Sequence, residues 1–95
     1  MHVGDWREPT RGWADRVLPG DGAADLPAIL GALDAAGWAG YYDLEIFSDD
    51  GAFGSGYPDS LWALDAGELA RRGREAFVRC WQERRVATAA RRGDT

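Results

Sequence analysis

A chain of 95 residues has room for one domain with a modest core, and 45% hydrophobic against 28% charged residues is an ordinary globular balance. The net charge of -5 sets the chain apart from general nucleic-acid binders, which present a basic face. The lone cysteine, Cys80, has no partner for an internal disulfide, no apolar run reaches the length of a membrane span, and the polar N-terminus lacks the apolar segment of a signal peptide, so the expected setting is the reducing cytoplasm.

Met1 to Trp6 reads as the end of a strand, with His2 and Asp5 where it runs out. Arg7 to Gly22 reads as loop, punctuated by Pro9, Gly12, Pro19, Gly20 and Gly22. Asp25 has the chemistry of a helix N-cap, and Pro27 falls in the first turn, where a missing N–H is harmless. Leu26, Ile29, Leu30 and Leu33 follow at i, i+3, i+4 and i+7, which predicts a helix from Leu26 to Ala36 ended by Gly37.

Tyr41 to Phe47 is the stretch around which the rest is arranged. Alternation along a strand puts Tyr41, Asp43, Glu45 and Phe47 on one face and the apolar Tyr42, Leu44 and Ile46 on the other, which suits packing under helices. Ser48 to Pro58 is a long glycine- and aspartate-rich loop, and Asp59-Ser60 caps a short turn through Leu64. Asp65, with Glu68 three residues on, begins a second helix that ends near Arg85. Leu69, Phe77, Cys80 and Trp81 form its apolar stripe, with Ala70, Gly73 and Ala76 as close-packing positions. The arginines from Arg71 to Arg92 read as a solvated helix face and tail, and 87–95 as a disordered tail.

The order is strand end, loop, helix, strand, loop, helix, or two βα units. In a parallel βα architecture the strand ends and the loops after them share one face, and active sites form there. That brings forward three residues: His2, Arg16 and Glu45. An imidazole and a carboxylate on adjacent strand ends suit a divalent ion such as Mn²⁺, Co²⁺ or Mg²⁺. A lone histidine is more often structural, and the residues alone leave both readings open. Asp5 reads more readily as a loop cap than as a ligand. Asp43 shares a face with Glu45 one layer deeper and has no assigned role. Trp6 and Trp13 suit either the wall of a sugar pocket or the anchoring of a loop. Gly20 and Gly22 suit either a phosphate cradle or a plain turn. Cys80 belongs to the core stripe rather than to a reactive site.

The pieces His2-Val3-Gly4-Asp5, Asp15-Arg16-Val17-Leu18-Pro19-Gly20-Asp21-Gly22, Asp25-Leu26-Pro27-Ala28-Ile29-Leu30 and Gly37-Trp38-Ala39-Gly40-Tyr41-Tyr42-Asp43-Leu44-Glu45 together resemble the last quarter of the sugar phosphate isomerase/epimerase family. That family has the xylose-isomerase-like TIM barrel, and the likeness runs from about residue 2 to residue 83. It implies an α/β fold in which 1–86 are the C-terminal two βα units of a TIM (β/α)8 barrel, an incomplete barrel and a piece of something longer. It also implies that His2 and Glu45 are metal ligands on the seventh and eighth strands, that Glu45 takes part in proton transfer, and that Arg16 contacts substrate oxygens. The family's remaining ligands, a glutamate and an aspartate on earlier strands, have no counterpart here. The loop between His2 and Arg16 and the segment 48–58 are longer than the family pattern.

The expected parent activity is metal-dependent isomerisation or epimerisation of a sugar or sugar phosphate, using Mn, Mg or Co. The isolated chain is expected to bind metal weakly or not at all and to be inactive. A second reading, of another class, is a small βαβα interaction module that self-associates through open sheet edges. A third is a piece of a metal-dependent abasic-site endonuclease-like barrel, against which the acidic balance weighs. Neither nucleic acid nor membrane is an expected partner.

Overall fold

Gly4 divides the N-terminal strand between two small sheets. Before it, β1 (His2–Val3) pairs in parallel with β4 (Asp43–Leu44), in the register His2 to Asp43 and Val3 to Leu44. After it, β2 (Asp5–Trp6) pairs antiparallel with β3 (Arg16–Val17). These elements are seen in a computed structural model that describes residues 1–54 and 56–85. The expected tail at 87–95 lies outside the described residues. The architecture is a small mixed α/β domain of two helices and short strands.

The first helix, α1 (Leu26–Ala35), forms where its signals stand. The Asp25 side chain accepts from the Ala28 N–H, and Pro27 occupies the first turn. At the other end Gly37 takes φ +87°, a conformation that side chains rarely adopt. This lets its own N–H reach the Asp34 carbonyl and the Trp38 N–H reach the Leu33 carbonyl, so two carbonyls of the last turn are satisfied and the chain is sent back toward β4. A 3₁₀ turn, Leu61–Ala63, is capped by Ser60, and α2 (Ala66–Gln82) by Asp65, whose carboxylate accepts from the Glu68 N–H. Glu68 does not complete the capping box. Its carboxylate is drawn outward to Arg71 and Arg72, which hold it down to a pKa of about 2.

Val3, Leu26, Leu30 and Cys80 are the buried centre, with Tyr42, Leu44, Phe77 and Trp81 packed against it. The ring of Tyr42 meets Phe77 and Trp81 at centroid distances of 5.5 and 5.6 Å. Gly73 lets α2 approach this layer: a Cβ there would stand 3.1 Å from Leu44 Cδ1. Tyr42 and Leu44 thus face the helices, as the alternation predicts, while Tyr41 is 87% exposed.

Three expectations need correction. The strand expected over Tyr41–Phe47 is regular only at Asp43–Leu44, because β1 offers a short partner and its ladder with the stretch runs from the Met1–Tyr41 bond to the Glu45–Val3 bond. The loop expected over 7–22 contains β3, so Arg16 lies on a strand. Ile29, placed in the apolar stripe of α1, is 48% exposed. With Leu33 it borders an open apolar groove beside β1, completed by Met1, Val3 and Leu26.

Candidate functional site at the ends of the parallel strands

Parallel pairing with His2 opposite Asp43 puts Glu45 just beyond the C-terminal end of β4. Its backbone N–H donates to the Val3 carbonyl at 2.9 Å, which fixes the residue's position. The side chain then turns to His2, whose Nδ1 lies 2.7 Å from Glu45 Oε2. Both groups stay in reach of solvent: the His2 side chain is 74% exposed and that of Glu45 42%. Arg16 arrives from β3, tied down by its backbone N–H to the Phe47 carbonyl at 2.9 Å. His2, Arg16 and Glu45 line one open cleft of about 220 Å³, together with Gly4, Trp6 and Phe47. Among the described residues the Arg16 guanidinium makes no ion pair, so it is available to an oxygen-rich ligand.

A nitrogen and a carboxylate are a sound donor pair for a borderline-hard divalent ion. They are two donors, where such an ion takes about six. Among the described residues no group of three or more His, Cys, Asp and Glu side chains converges. The residues present therefore fit part of a metal site. Asp43, the register partner of His2, is exposed.

Two buried carboxylates hold the loops around this cleft: Asp5, which takes the loop-capping role its position suggests, and Asp15, to which the sequence assigned no role. Asp5 is 0% exposed. Its Oδ1 accepts from the N–H groups of Trp6 (2.8 Å) and Ala24 (3.0 Å), and its Oδ2 from those of Gly20 (2.9 Å) and Gly22 (3.1 Å). Four charge-assisted bonds offset the cost of burying the charge. Gly22 must be glycine for this closure, since a Cβ would lie 2.2 Å from the Trp6 carbonyl oxygen and 2.4 Å from Asp5 Oδ1. The Pro19–Gly22 turn is therefore wrapped around a carboxylate of the same chain.

Asp15 is the second. Its side chain is 1% exposed and accepts from Arg11 through Nε at 2.6 Å and Nη2 at 2.9 Å. Arg7 Nε lies 3.2 Å away, off the line of a hydrogen bond. Asp59 bridges the outer ends of Arg7 and Arg11, joining the 7–15 loop to the start of the 3₁₀ turn. The hydrogen bonds from Arg11 hold the Asp15 carboxyl below its usual range. The i, i+4 spacing of Arg11 and Asp15 was the one signal of this network in the sequence.

Aromatic rings continue the cleft wall. Phe47 meets Trp13 edge-on at 5.9 Å, and Trp13 meets Phe53 at 5.4 Å. No protein-family model matches the chain, and neither does any curated protein or solved structure.

Proposed function

We propose that the chain supplies the ligand-handling end of a divalent-metal-dependent sugar isomerase or epimerase, as two βα units of a xylose-isomerase-like TIM barrel. The observation that supports this best is the meeting, 2.7 Å apart, of Glu45, just past the C-terminal end of β4, with His2, which opens β1 rather than ending it as the sequence led one to expect, with Arg16 on the same cleft. Parallel strands with a helix between them are the building unit of such barrels, and strand C-terminal ends are where their chemistry sits. The resemblance of the ordered motifs adds the reaction class.

In this reading His2 and Glu45 hold the ion, by imidazole nitrogen and carboxylate oxygen. A bound divalent ion supplies Lewis acidity toward a carbonyl and its neighbouring hydroxyl. Glu45 also moves a proton at the carbon beside that carbonyl, a task suited to a carboxylate within reach of the reacting carbon. Arg16 steadies substrate oxygens through its guanidinium fork. Trp6 and Phe47 give the same cleft an apolar lining. The two donors leave most of an ion's coordination to water, so the chain by itself binds metal weakly and turns over no sugar.

The test is calorimetric titration with Mn²⁺ plus an isomerase assay on a panel of ketoses. Weak binding, with a dissociation constant on the order of 0.1–1 mM, is expected in the unmodified chain and lost in both His2→Ala and Glu45→Gln. Unchanged Mn²⁺ binding in those variants overturns the site, and turnover by the chain alone overturns the dependence on further barrel units.

A second reading, a βαβα interaction module, is favoured by the open apolar groove of Met1, Val3, Ile29 and Leu33 beside β1. Size-exclusion chromatography separates it, since self-association through the strand edge gives a species larger than one chain.

A further inference from the structure

β1 and β4 make a sheet of two strands, so β1 has a partner on one side only. The carbonyls of Met1 and Val3 accept from the N–H groups of Asp43 and Glu45 at 2.8 and 2.9 Å, so residues 1 and 3 turn their backbone groups toward β4. His2 and Gly4 alternate with them and turn theirs to the opposite edge. Among the described residues neither His2 nor Gly4 finds a backbone partner there. The flank of α1 lies beside this edge, and the groove between them is lined by Met1, Val3, Leu26, Ile29 and Leu33. Met1, Trp6 and Ile29 remain 44%, 38% and 48% exposed along it.

A chain of net charge -5 repels its own copies over most of its surface. The lining of this groove holds no carboxylate and no arginine, so two copies approach through it without that repulsion. The edge is also self-complementary. Turned about a two-fold axis through Val3, it sets His2 of one copy opposite Gly4 of the other on both sides of the axis, and each such pair exchanges two N–H···O bonds. An axis perpendicular to the sheet keeps both α1 helices on one face, where Ile29 and Leu33 of one copy meet those of the other. A foreign extended peptide would pair with the edge but bring no helix to cover Ile29.

We propose that this face is a two-fold interface with a second copy of the chain, the two β1 edges joining antiparallel into one continuous sheet. The proposal rests on the interaction-module reading and names its partner and register. Covering the half-exposed side chains and the edge removes roughly 400 Å² from water on each copy, or about 800 Å² in the pair, against the ~1,200 Å² of stable complexes. The dimer is therefore weak, with a dissociation constant on the order of 0.1 mM.

The test is sedimentation equilibrium of the full chain up to about 1 mM, with the ¹⁵N amide spectrum recorded over the same range. A monomer–dimer equilibrium is expected, with the His2, Gly4 and Ile29 amides shifting as the dimer fills and the His2 and Gly4 N–H groups exchanging more slowly. Added salt should tighten it, because screening relieves the repulsion between two acidic copies. Ile29→Lys puts a cation on an exposed position, so the amide spectrum should stay folded while the dissociation constant rises about tenfold or more. Phe53→Ser, exposed and outside the groove, should leave it unchanged. A chain that stays monomeric throughout, whether or not an added extended peptide seats in the groove, overturns the proposal together with the self-association reading. A dimer that survives Ile29→Lys, that shifts other amides than these, or that loosens in salt as arginines of α2 against acidic loops would, overturns this interface alone and leaves self-association through another face.

Discussion

Asp5 and Glu45 each stand one or two residues beyond a strand of the same parallel pair, yet they meet opposite fates. Asp5 is fully enclosed and takes four backbone N–H groups. The Glu45 side chain is 42% exposed and faces a single imidazole. The first carboxylate spends its whole hydrogen-bonding capacity on the fold. The second keeps most of its capacity for something outside the chain. A carboxylate with all its partners inside the protein is a structural device, and one held in position but under-partnered at a cleft is a candidate for chemistry.

The contrast can be broken most forcefully at Asp5. Asp5→Ala leaves four N–H groups without acceptors, each costing about 1–3 kcal/mol, so a loss on the order of 4 kcal/mol or more is expected. That is most of the stability of a small domain. Urea unfolding followed by circular dichroism measures it, and Asp5→Asn, which keeps one acceptor oxygen, should lose less. A change below about 1 kcal/mol in the alanine variant would mean the turn closes without its carboxylate.

Asp15 comes next. Asp15→Asn removes the charge facing Arg7 and Arg11 and is expected to cost about 2 kcal/mol at neutral pH, since the surviving guanidinium groups lose a charged acceptor. Arg11 lowers the folded-state pKa of Asp15 below its ordinary value of 3.8. A depressed carboxylate contributes stability above its unfolded pKa and loses it as pH falls through the folded value. The gap in Tm between wild type and Asp15→Asn should therefore be full at neutral pH and close below about pH 3.8. A gap that persists or widens in acid would remove the ion pair as its cause.

At Glu45 the same kind of substitution should hardly register in stability. Glu45→Gln is expected within about 0.5 kcal/mol of wild type, as for other exposed ion-pair partners. Its effect belongs to Mn²⁺ titration, where binding should vanish. If Glu45→Gln unfolds the chain as Asp5→Ala does, the two carboxylates do not differ in kind.

The helices were legible because their signals are local. Asp25, Pro27, Gly37 and Asp65 act on their own neighbours, and each takes the role its position announces. The faces of the Tyr41–Phe47 stretch were legible for the same reason, whereas its length was not. Alternation persists to Phe47, but a ladder needs a partner, and β1 is two residues long. The division at Gly4 and the depth of Asp5 were hidden because the bonds that create them cross 15 to 19 residues and leave no periodic trace. His2, Arg16 and Glu45 came forward from their order along two βα units, and the structure gathers them in one cleft. Ile29 shows the limit of periodicity, which marks an apolar face without saying that anything covers it.

Gly20 takes φ +88°, and a Cβ at that position would sit 3.1 Å from the sulfur of Cys80. The chain's lone thiol is thus lodged beneath the turn that Asp5 organises, with its pKa raised by burial. A thiol in that condition reacts as thiolate, and only when the layer around it opens. Val3, Leu26 and Leu30 share that layer with the Gly20 turn. Labelling of Cys80 by a disulfide reagent therefore times the opening of the core beneath the turn, in the unmodified sequence and without any added probe.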